Sequence, residues 1–315
     1  MNGHLTRSCC GWAGGAGPLF TSEAAAAEHD VRAHLSRSIH MVQTLDEAVS
    51  ARIHECTEAI AGEFRASVRP IYGSPNGLRP ELIGSCLLLA VDGAKFVVTA
   101  AHVIDWTSSH ALYVGGVVGT KPVQILGKIK STPEPPGGRC QDRFDCAFWQ
   151  VPSSAERALG AVEFVDQSRL SDNKVSPTGR VYMAMGYRLS RNKGKVDNVA
   201  RTIKTVIWKY SANVAELPEL ALALGVSGNE HFFLKYDKYS FNSGGLRVSS
   251  VNPKGISGGA LIDLGNFSSA SAYDSRSRCV GMLCGMVIEK NKKHRALVGI
   301  KIEYIVNAIR RQRAL

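Results

Sequence analysis

The sequence predicts an all-β fold flanked by one helix at each end. Short runs of apolar and β-branched residues recur from residue 82 to residue 302, separated by turns rich in Gly, Pro, Asn and Ser. The chain of 315 residues also contains 31 glycines, which suits a protein of many short strands and turns. Many short strands with such turns are typical of β-barrels and β-sandwiches.

The segment before the strands predicts a disordered stretch followed by a helix. Residues 1–40 are rich in Gly, Ala and Ser without clear periodicity, so we expect them to be disordered or weakly ordered. Within residues 41–70, Thr44 and Glu47 form a capping-box pattern, and Pro70 is expected to end the helix. Its apolar stripe favours packing on the rest of the protein, with a regulatory protein partner as the alternative. The stripe comprises Leu45, Val49, Ile53, Cys56, Ile60, Phe64 and Val68.

The first strands form a predicted β-hairpin. Residues 82–91 and 95–99 are apolar runs joined by the turn Asp92-Gly93. A closing helix is expected from Glu303 to Arg313, because its apolar residues share one side. The remaining predicted strands are 111–117, 123–129, 146–151, 181–185, 201–210, 232–236, 259–264, 279–288 and 296–302.

Three short motifs carry residues suited to nucleophilic catalysis. His102 directly follows an apolar strand within a turn of small residues, where its imidazole can take and return a proton near neutral pH. Asp145 heads the apolar run 146–149, where a carboxylate needs a hydrogen-bond partner such as a histidine N–H. Ser257 lies in Gly-Ile-Ser-Gly-Gly-Ala, whose glycines allow the N–H groups of Gly255 and Ser257 to converge as an oxyanion hole.

The same serine motif also matches the nucleophile elbow of α/β-hydrolases, with His294 as the base. That elbow requires a strand before the serine and a helix after it. Here Asn-Pro-Lys precedes the motif and a strand pattern that begins with Gly-Gly follows it, so the context disfavours an α/β-hydrolase.

With its motifs in the order His, Asp, Ser, the chain resembles the trypsin-like (chymotrypsin-fold) serine peptidases over about residues 80–313. The likeness is greatest to bacterial intracellular and HtrA-like members. It implies two six-stranded antiparallel β-barrels, residues 71–155 with His102 and Asp145, and residues 156–315 with Ser257 and a C-terminal helix.

The resemblance also implies a serine endopeptidase that acts on protein or peptide substrates without a cofactor or a metal. The alternative is a catalytically idle binding module with a protease fold, which acts through its N-terminal helix or its basic surface.

The resemblance further predicts the specificity pocket. Val251, six residues before the serine, would form its floor, and Cys284 and Met286 its wall, which favours small or medium aliphatic residues before the cut. Ile256 stands where secreted trypsins carry an aspartate that pairs with a newly cut N-terminus. The usual zymogen ion pair is therefore not expected.

Net charge, apolar runs and cysteine content indicate the partners and the compartment to expect for this chain. The net charge of +11 is spread over several segments, which favours a solvated basic surface over a nucleic-acid groove. We expect no membrane span, because no apolar run approaches the roughly 18 residues that a span requires. The sequence lacks a recognisable secretory signal, so its eight cysteines predict a reduced, cytoplasmic chain.

Overall fold

The computed structural model describes residues 44–75, 80–116, 120–192, 196–197, 202–203, 205–241, 246–273 and 278–313. The predicted disorder of residues 1–40 falls outside these ranges. Two antiparallel sheets dominate the fold, curled as in chymotrypsin-like proteins, with helices at the N-terminal and C-terminal regions. The all-β architecture predicted from the sequence is thus confirmed.

The first sheet contains seven strands where six were predicted, in the order β5-β4-β1-β2-β3-β7-β6. The predicted hairpin is present as β2 and β3 around Asp92 and Gly93, both of which have positive φ. The strands are β1 (Val68–Ser74), β2 (Glu81–Val91), β3 (Ala94–Thr99), β4 (Ala111–Val114), β5 (Val123–Gln124), β6 (Lys130–Ser131) and β7 (Ala147–Gln150).

The second sheet contains six strands in the order β11-β8-β15-β16-β17-β12. Two small strand pairs lie outside both sheets, β9 with β10 and β13 with β14. The sheet strands are β8 (Arg180–Tyr187), β11 (Ile207–Ala212), β12 (His231–Lys235), β15 (Ala260–Asn266), β16 (Met282–Asn291) and β17 (Ala296–Lys301). The small pairs comprise β9 (Val196–Asp197), β10 (Thr202–Ile203), β13 (Tyr239–Phe241) and β14 (Arg247–Ser249).

Helices connect and flank the sheets. None of the helices in the described ranges combines the length and apolar character needed to cross a membrane. The α-helices are α1 (Leu45–Phe64), α2 (Ala101–Ile104), α3 (Ser153–Leu159), α4 (Leu189–Asn192), α5 (Pro218–Leu224) and α6 (Ile302–Arg313). Short 3₁₀ turns occupy Asp105–Ser108, Arg139–Gln141, Gln167–Arg169 and Ala270–Tyr273.

Strand β2 is buried on both faces, which explains its nearly continuous apolar sequence. Leu87 and Leu89 face the core shared with the second sheet and the terminal helices. Cys86 and Leu88 face the opposite way, into the interior of the first sheet. Alternate residues of a strand point to opposite faces, so a strand between two cores needs apolar residues at successive positions.

Helix α1 ends earlier than the sequence predicted. It stops at Phe64, and Val68–Ser74 is strand β1, with Pro70 inside it and paired with Ser85. Proline fits there because Gly115 O, which faces the missing N–H, accepts Arg69 Nε at 2.8 Å, while Gly115 N–H donates to the Pro70 carbonyl at 2.9 Å. Pro70, which was expected to end the helix, is therefore a strand residue, and the helix ends before it at Phe64.

Helix α1 packs on the second sheet through the C-terminal part of its apolar stripe. Cys56, Ile60 and Phe64 are buried, whereas Leu45 at its start is 74% exposed. A Cβ atom on Gly281 would lie 2.4 Å from Ile60, so the glycine allows the helix to approach β16 closely. The guanidinium of Arg169 lies 4.9 Å from the Phe64 ring centre and reinforces the contact.

The expectation of a fully reduced chain is wrong for one pair of cysteines. Cys56 of α1 and Cys279 form a disulfide across a sequence separation of 223 residues, with Cα atoms 5.2 Å apart. No local pattern could reveal the pair, because docking of the helix alone brings the two thiols together. Cys140 is an exposed free cysteine, while Cys86, Cys146 and Cys284 are buried and free.

We expect Cys56→Ser and Cys279→Ser each to lower the free energy of unfolding by about 2–4 kcal/mol, because the disulfide restricts the unfolded chain. Denaturant unfolding with and without a thiol reductant measures the loss. Cys140→Ser is the matched control and should unfold like the wild type. Equal unfolding of the wild type in both conditions would contradict the prediction.

Candidate active site

His102 and Asp145 form a directly hydrogen-bonded pair at one end of the first sheet. Asp145 Oδ2 lies 2.6 Å from His102 Nδ1, and its Oδ1 accepts the backbone N–H of His102 at 2.9 Å. The Asp145 side chain is 10% exposed, whereas that of His102 is 39% exposed. The carboxylate is therefore sheltered and directed, while the imidazole retains access to solvent.

The backbone at Asp145 is shaped for this contact. Its φ of +39° lies in the left-handed region, which a short polar side chain tolerates better than most others. The Asp145 carbonyl also accepts the N–H of Ala101 at 3.0 Å. The unusual φ thus lets the carbonyl and both carboxylate oxygens of one residue face the turn that carries His102.

The loop around Ser257 is docked on the first sheet, next to the histidine turn. Ser257 O accepts the N–H of Ser85 in β2 at 2.8 Å. Gly84 separates the two motifs, since a Cβ atom there would lie 2.8 Å from Val103 and 3.4 Å from Ser257 O. Val103, which follows His102, and Ser257, the predicted nucleophile, therefore both lie beside Gly84.

The Ser257 hydroxyl makes no hydrogen bond, to His102 or to any other group in the described part of the chain. Catalytic hydrogen bonds are often long in ligand-free sites and shorten when a substrate binds. The backbone N–H groups of Gly255 and Ser257 likewise donate to no acceptor among the described residues. Both N–H groups are therefore free to donate to a bound acceptor.

Gly255 is required by its surroundings as well as by its backbone. Its φ is +98°, and a Cβ atom there would lie 2.2 Å from Leu189 and 2.9 Å from Tyr187 O. Gly258, on the other side of the serine, would bring a Cβ atom within 2.0 Å of Ser85 O. The two glycines allow the loop to pass closely between the two sheets.

Ser85 is a positioning residue that the sequence analysis missed. Its buried hydroxyl accepts the N–H of Tyr187 at 2.8 Å and donates to Gly255 O at 3.0 Å. Its carbonyl accepts the Thr99 hydroxyl at 2.7 Å. A serine inside an otherwise apolar strand was the available signal, because a buried hydroxyl needs partners.

Glu289 is a second residue that the sequence analysis missed. Partial desolvation and the charge of Asp145 raise the pKa of this carboxyl group, while His102 acts in the opposite direction. Glu289 therefore lies close enough to the pair to interact with its charges. It belongs to β16, which shifts register between Val287 and Glu289.

The predicted specificity pocket is not assembled as expected. Cys284 and Met286 are fully buried in the cores of the second sheet, so neither offers a surface to a substrate. Hydrogen bonds from Gly258 N to Val287 O and from Val287 N to Gly259 O, both 2.8 Å, place Val287 beside the serine loop. Val287 is itself fully buried, so β16 contacts the serine loop through its backbone. Val251 remains 40% exposed.

Searches of family models and of curated proteins find no match. One similar solved structure comes from work on the coupled folding and binding of the intrinsically disordered Sesbania mosaic virus VPg protein. It is 17% identical with a TM-score of 0.41, covering 78% of this chain and 90% of that chain. Another is the serine protease domain of the Sesbania mosaic virus polyprotein, 16% identical with a TM-score of 0.39, covering 77% and 91%.

We expect Ser85→Ala to lower kcat by roughly tenfold with KM nearly unchanged, because the Gly255 loop loses its anchor to β2. The change also leaves the Tyr187 N–H unpaired and should cost about 1–3 kcal/mol of stability. Steady-state kinetics and thermal unfolding measure both effects. The exposed Ser154→Ala is the control. A rise in KM at constant kcat would exclude a positioning role.

We expect Asp145→Asn to lower the pKa of Glu289, because the charge of Asp145 contributes to its raised value in the wild type. Titration of the Glu289 carboxyl group by NMR in both proteins measures the shift, with the exposed Asp172→Asn as control. An unchanged or higher pKa of Glu289 in Asp145→Asn would contradict the prediction.

Proposed function

We propose that this protein is a serine endopeptidase whose catalytic residues are His102, Asp145 and Ser257. The observation that carries the proposal is the hydrogen bond of 2.6 Å between His102 Nδ1 and Asp145 Oδ2, beside a serine loop with two unengaged N–H groups. A buried carboxylate, an accessible imidazole and a partly exposed serine are the groups that acyl transfer requires.

In the first half of the reaction, Ser257 Oγ attacks the carbonyl carbon of the scissile peptide bond. His102 Nε2 takes the serine proton and then gives it to the leaving amine, which leaves an acyl-enzyme. Water attacks the ester in the second half, His102 again transfers the proton, and Ser257 is released with the carboxylic acid product. Asp145 stabilises the imidazolium and fixes the tautomer of His102 throughout.

The N–H groups of Gly255 and Ser257 stabilise the oxyanion of each tetrahedral intermediate. Donors fixed in place before the reaction need no reorganisation, and removal of one such donor typically costs about 10²–10³ in kcat. Ser85 maintains this arrangement through its hydrogen bond to Gly255 O.

The alternative function is a binding module that retains the protease fold without turnover. The observation that favours it is the absence of a hydrogen bond between Ser257 and His102 in the described part of the chain. A fluorophosphonate probe distinguishes the two, because it reacts only with an activated serine. Labelling that disappears in Ser257→Ala supports the peptidase, and absence of labelling in the folded wild type supports the binding module.

We expect Ser257→Ala and His102→Ala each to lower kcat by roughly 10⁴–10⁶, because the three residues act as one unit. Asp145→Asn should lower kcat by roughly 10⁴ through the wrong His102 tautomer. Casein hydrolysis and thermal unfolding separate lost chemistry from lost structure. An undiminished rate in Ser257→Ala would refute the assignment.

The compartment is part of the same proposal. The Cys56–Cys279 disulfide favours an oxidising environment over the cytoplasm predicted from the sequence. Thiol titration of the protein from its native source, before any reductant is added, tests this point.

A further inference from the structure

Arg188 is a buried cation with no anionic partner among the described residues. The residue is 5% exposed, and its Nε is enclosed without a hydrogen-bond partner. In the described part of the chain its guanidinium forms neither a salt bridge nor a hydrogen bond. Desolvation and the charge of Arg191 lower the pKa of Arg188. Burial of an unpaired charge is unfavourable, so its retention needs a reason.

The backbone of Arg188 is held next to the proposed oxyanion loop. Asn192 Nδ2 donates to the Arg188 carbonyl at 2.8 Å. The following residue, Leu189, donates its N–H to Lys254 O at 2.9 Å and would meet any side chain placed on Gly255. Arg188 thus directly precedes Leu189, which contacts the loop of Gly255, a proposed oxyanion donor.

One aromatic ring lies near the guanidinium but cannot replace an anion. The Cζ of Arg188 lies 5.9 Å from the centre of the Trp208 ring, at the outer limit of a cation–π contact. Tyr236 packs 6.2 Å from Trp208, and its hydroxyl donates to Val251 O. An aromatic face leaves the five N–H donors of arginine without acceptors. This aromatic pair therefore does not pair the charge.

A second cation contacts the same aromatic pair. Lys290 Nζ is 4.8 Å from the Tyr236 ring centre. Lys290 follows Glu289 on β16, just beyond Val287, which lies beside the serine loop. Arg188 therefore contacts Trp208, Lys290 contacts Tyr236, and the Tyr236 hydroxyl donates to the carbonyl of Val251, the predicted pocket floor.

We propose that Arg188 forms a binding site for a peptide carboxylate beside the Gly255 loop. A carboxylate matches the forked donors of a guanidinium and supplies the missing charge. It belongs either to the substrate, as an acidic residue before the cut, or to a separate acidic peptide. Through Leu189, an occupied site also holds Gly255 in place. The kinetic consequence rests on the proposed peptidase function, whereas carboxylate binding does not.

The first experiment measures binding without turnover. Blocked tetrapeptides Ala-Ala-Glu-Ala and Ala-Ala-Gln-Ala are added to the Ser257→Ala protein, and its thermal unfolding is recorded. We expect the Glu peptide alone to raise the melting temperature. The rise should be absent in Ser257→Ala/Arg188→Met and retained in the matched control Ser257→Ala/Arg191→Gln. Without peptide, Arg188→Met should unfold at the same temperature as its parent or higher, because an unpaired buried charge is removed.

The second experiment distinguishes the two sources in the active enzyme. Quenched fluorescent peptides that differ only in Glu or Gln before the cut are compared by kcat/KM. If the substrate supplies the carboxylate, the wild type should prefer Glu roughly tenfold or more and Arg188→Met should lose the preference. If a separate peptide supplies it, the Glu tetrapeptide should accelerate cleavage of the Gln substrate by a similar factor, again only with Arg188 present.

Three results would overturn the proposal. One is that the Glu tetrapeptide does not change the melting temperature, that the Glu and Gln substrates are cleaved with equal kcat/KM, and that the Glu tetrapeptide does not accelerate cleavage. Another is retention of these effects in Arg188→Met. The third is a clear loss of stability or failure to fold in Arg188→Met, which would make the arginine a structural support. Binding with no fluorophosphonate labelling would instead retain the carboxylate site and refute the peptidase function.

Discussion

The hydrogen bonds of Ser85 join the two sheets at the point where the candidate site lies. Its N–H holds Ser257 O, and its hydroxyl bridges Tyr187 N of the second sheet and Gly255 O of the serine loop. His102 follows β3 and Asp145 precedes β7 of the first sheet, while the serine loop leads into β15 of the second. A relative shift of one sheet would therefore separate a proposed base from its nucleophile. A buried junction whose polar groups are hydrogen-bonded resists such a shift better than apolar contact alone. Each broken hydrogen bond would leave a buried polar group unpaired.

This junction also explains much of the sequence around it. Strand β2 is apolar on both faces because it lies between two cores, and Ser85 interrupts that pattern only because each of its polar atoms has a partner. Gly84, Gly255 and Gly258 lie within contact distance of the junction, where a side chain would collide with Val103, Leu189 or Ser85. Close approach of three backbone segments thus accounts for glycine here, and the serine motif reflects packing as much as chemistry.

The fold class, most strands, the hairpin and the pairing of His102 with Asp145 could be predicted from the sequence, because each leaves a local pattern or a motif. Strand β1 could not, since a proline at residue 70 usually ends a regular element, and here the Arg69 side chain bonds the Gly115 carbonyl in place of the missing N–H. The burial of Cys284 and Met286 could not be predicted either, because two register shifts in β16 alter which of its residues face the core. The Cys56–Cys279 bridge and the unpaired Arg188 depend on contacts between distant segments, which no single-sequence pattern records.

Charge around the serine loop is arranged differently from that of the family the sequence resembles. In secreted trypsins the residue before the serine is an aspartate that receives an ammonium group. Here that residue is Ile256, buried among apolar side chains, and the unpaired charge nearby is the cation of Arg188. An anion bound to Arg188 would neutralise its positive charge. In trypsins the charges are reversed, because an ammonium group neutralises the aspartate. Under the proposed function, an acidic group brought to the site controls the loop of Gly255 in place of a cut N-terminus.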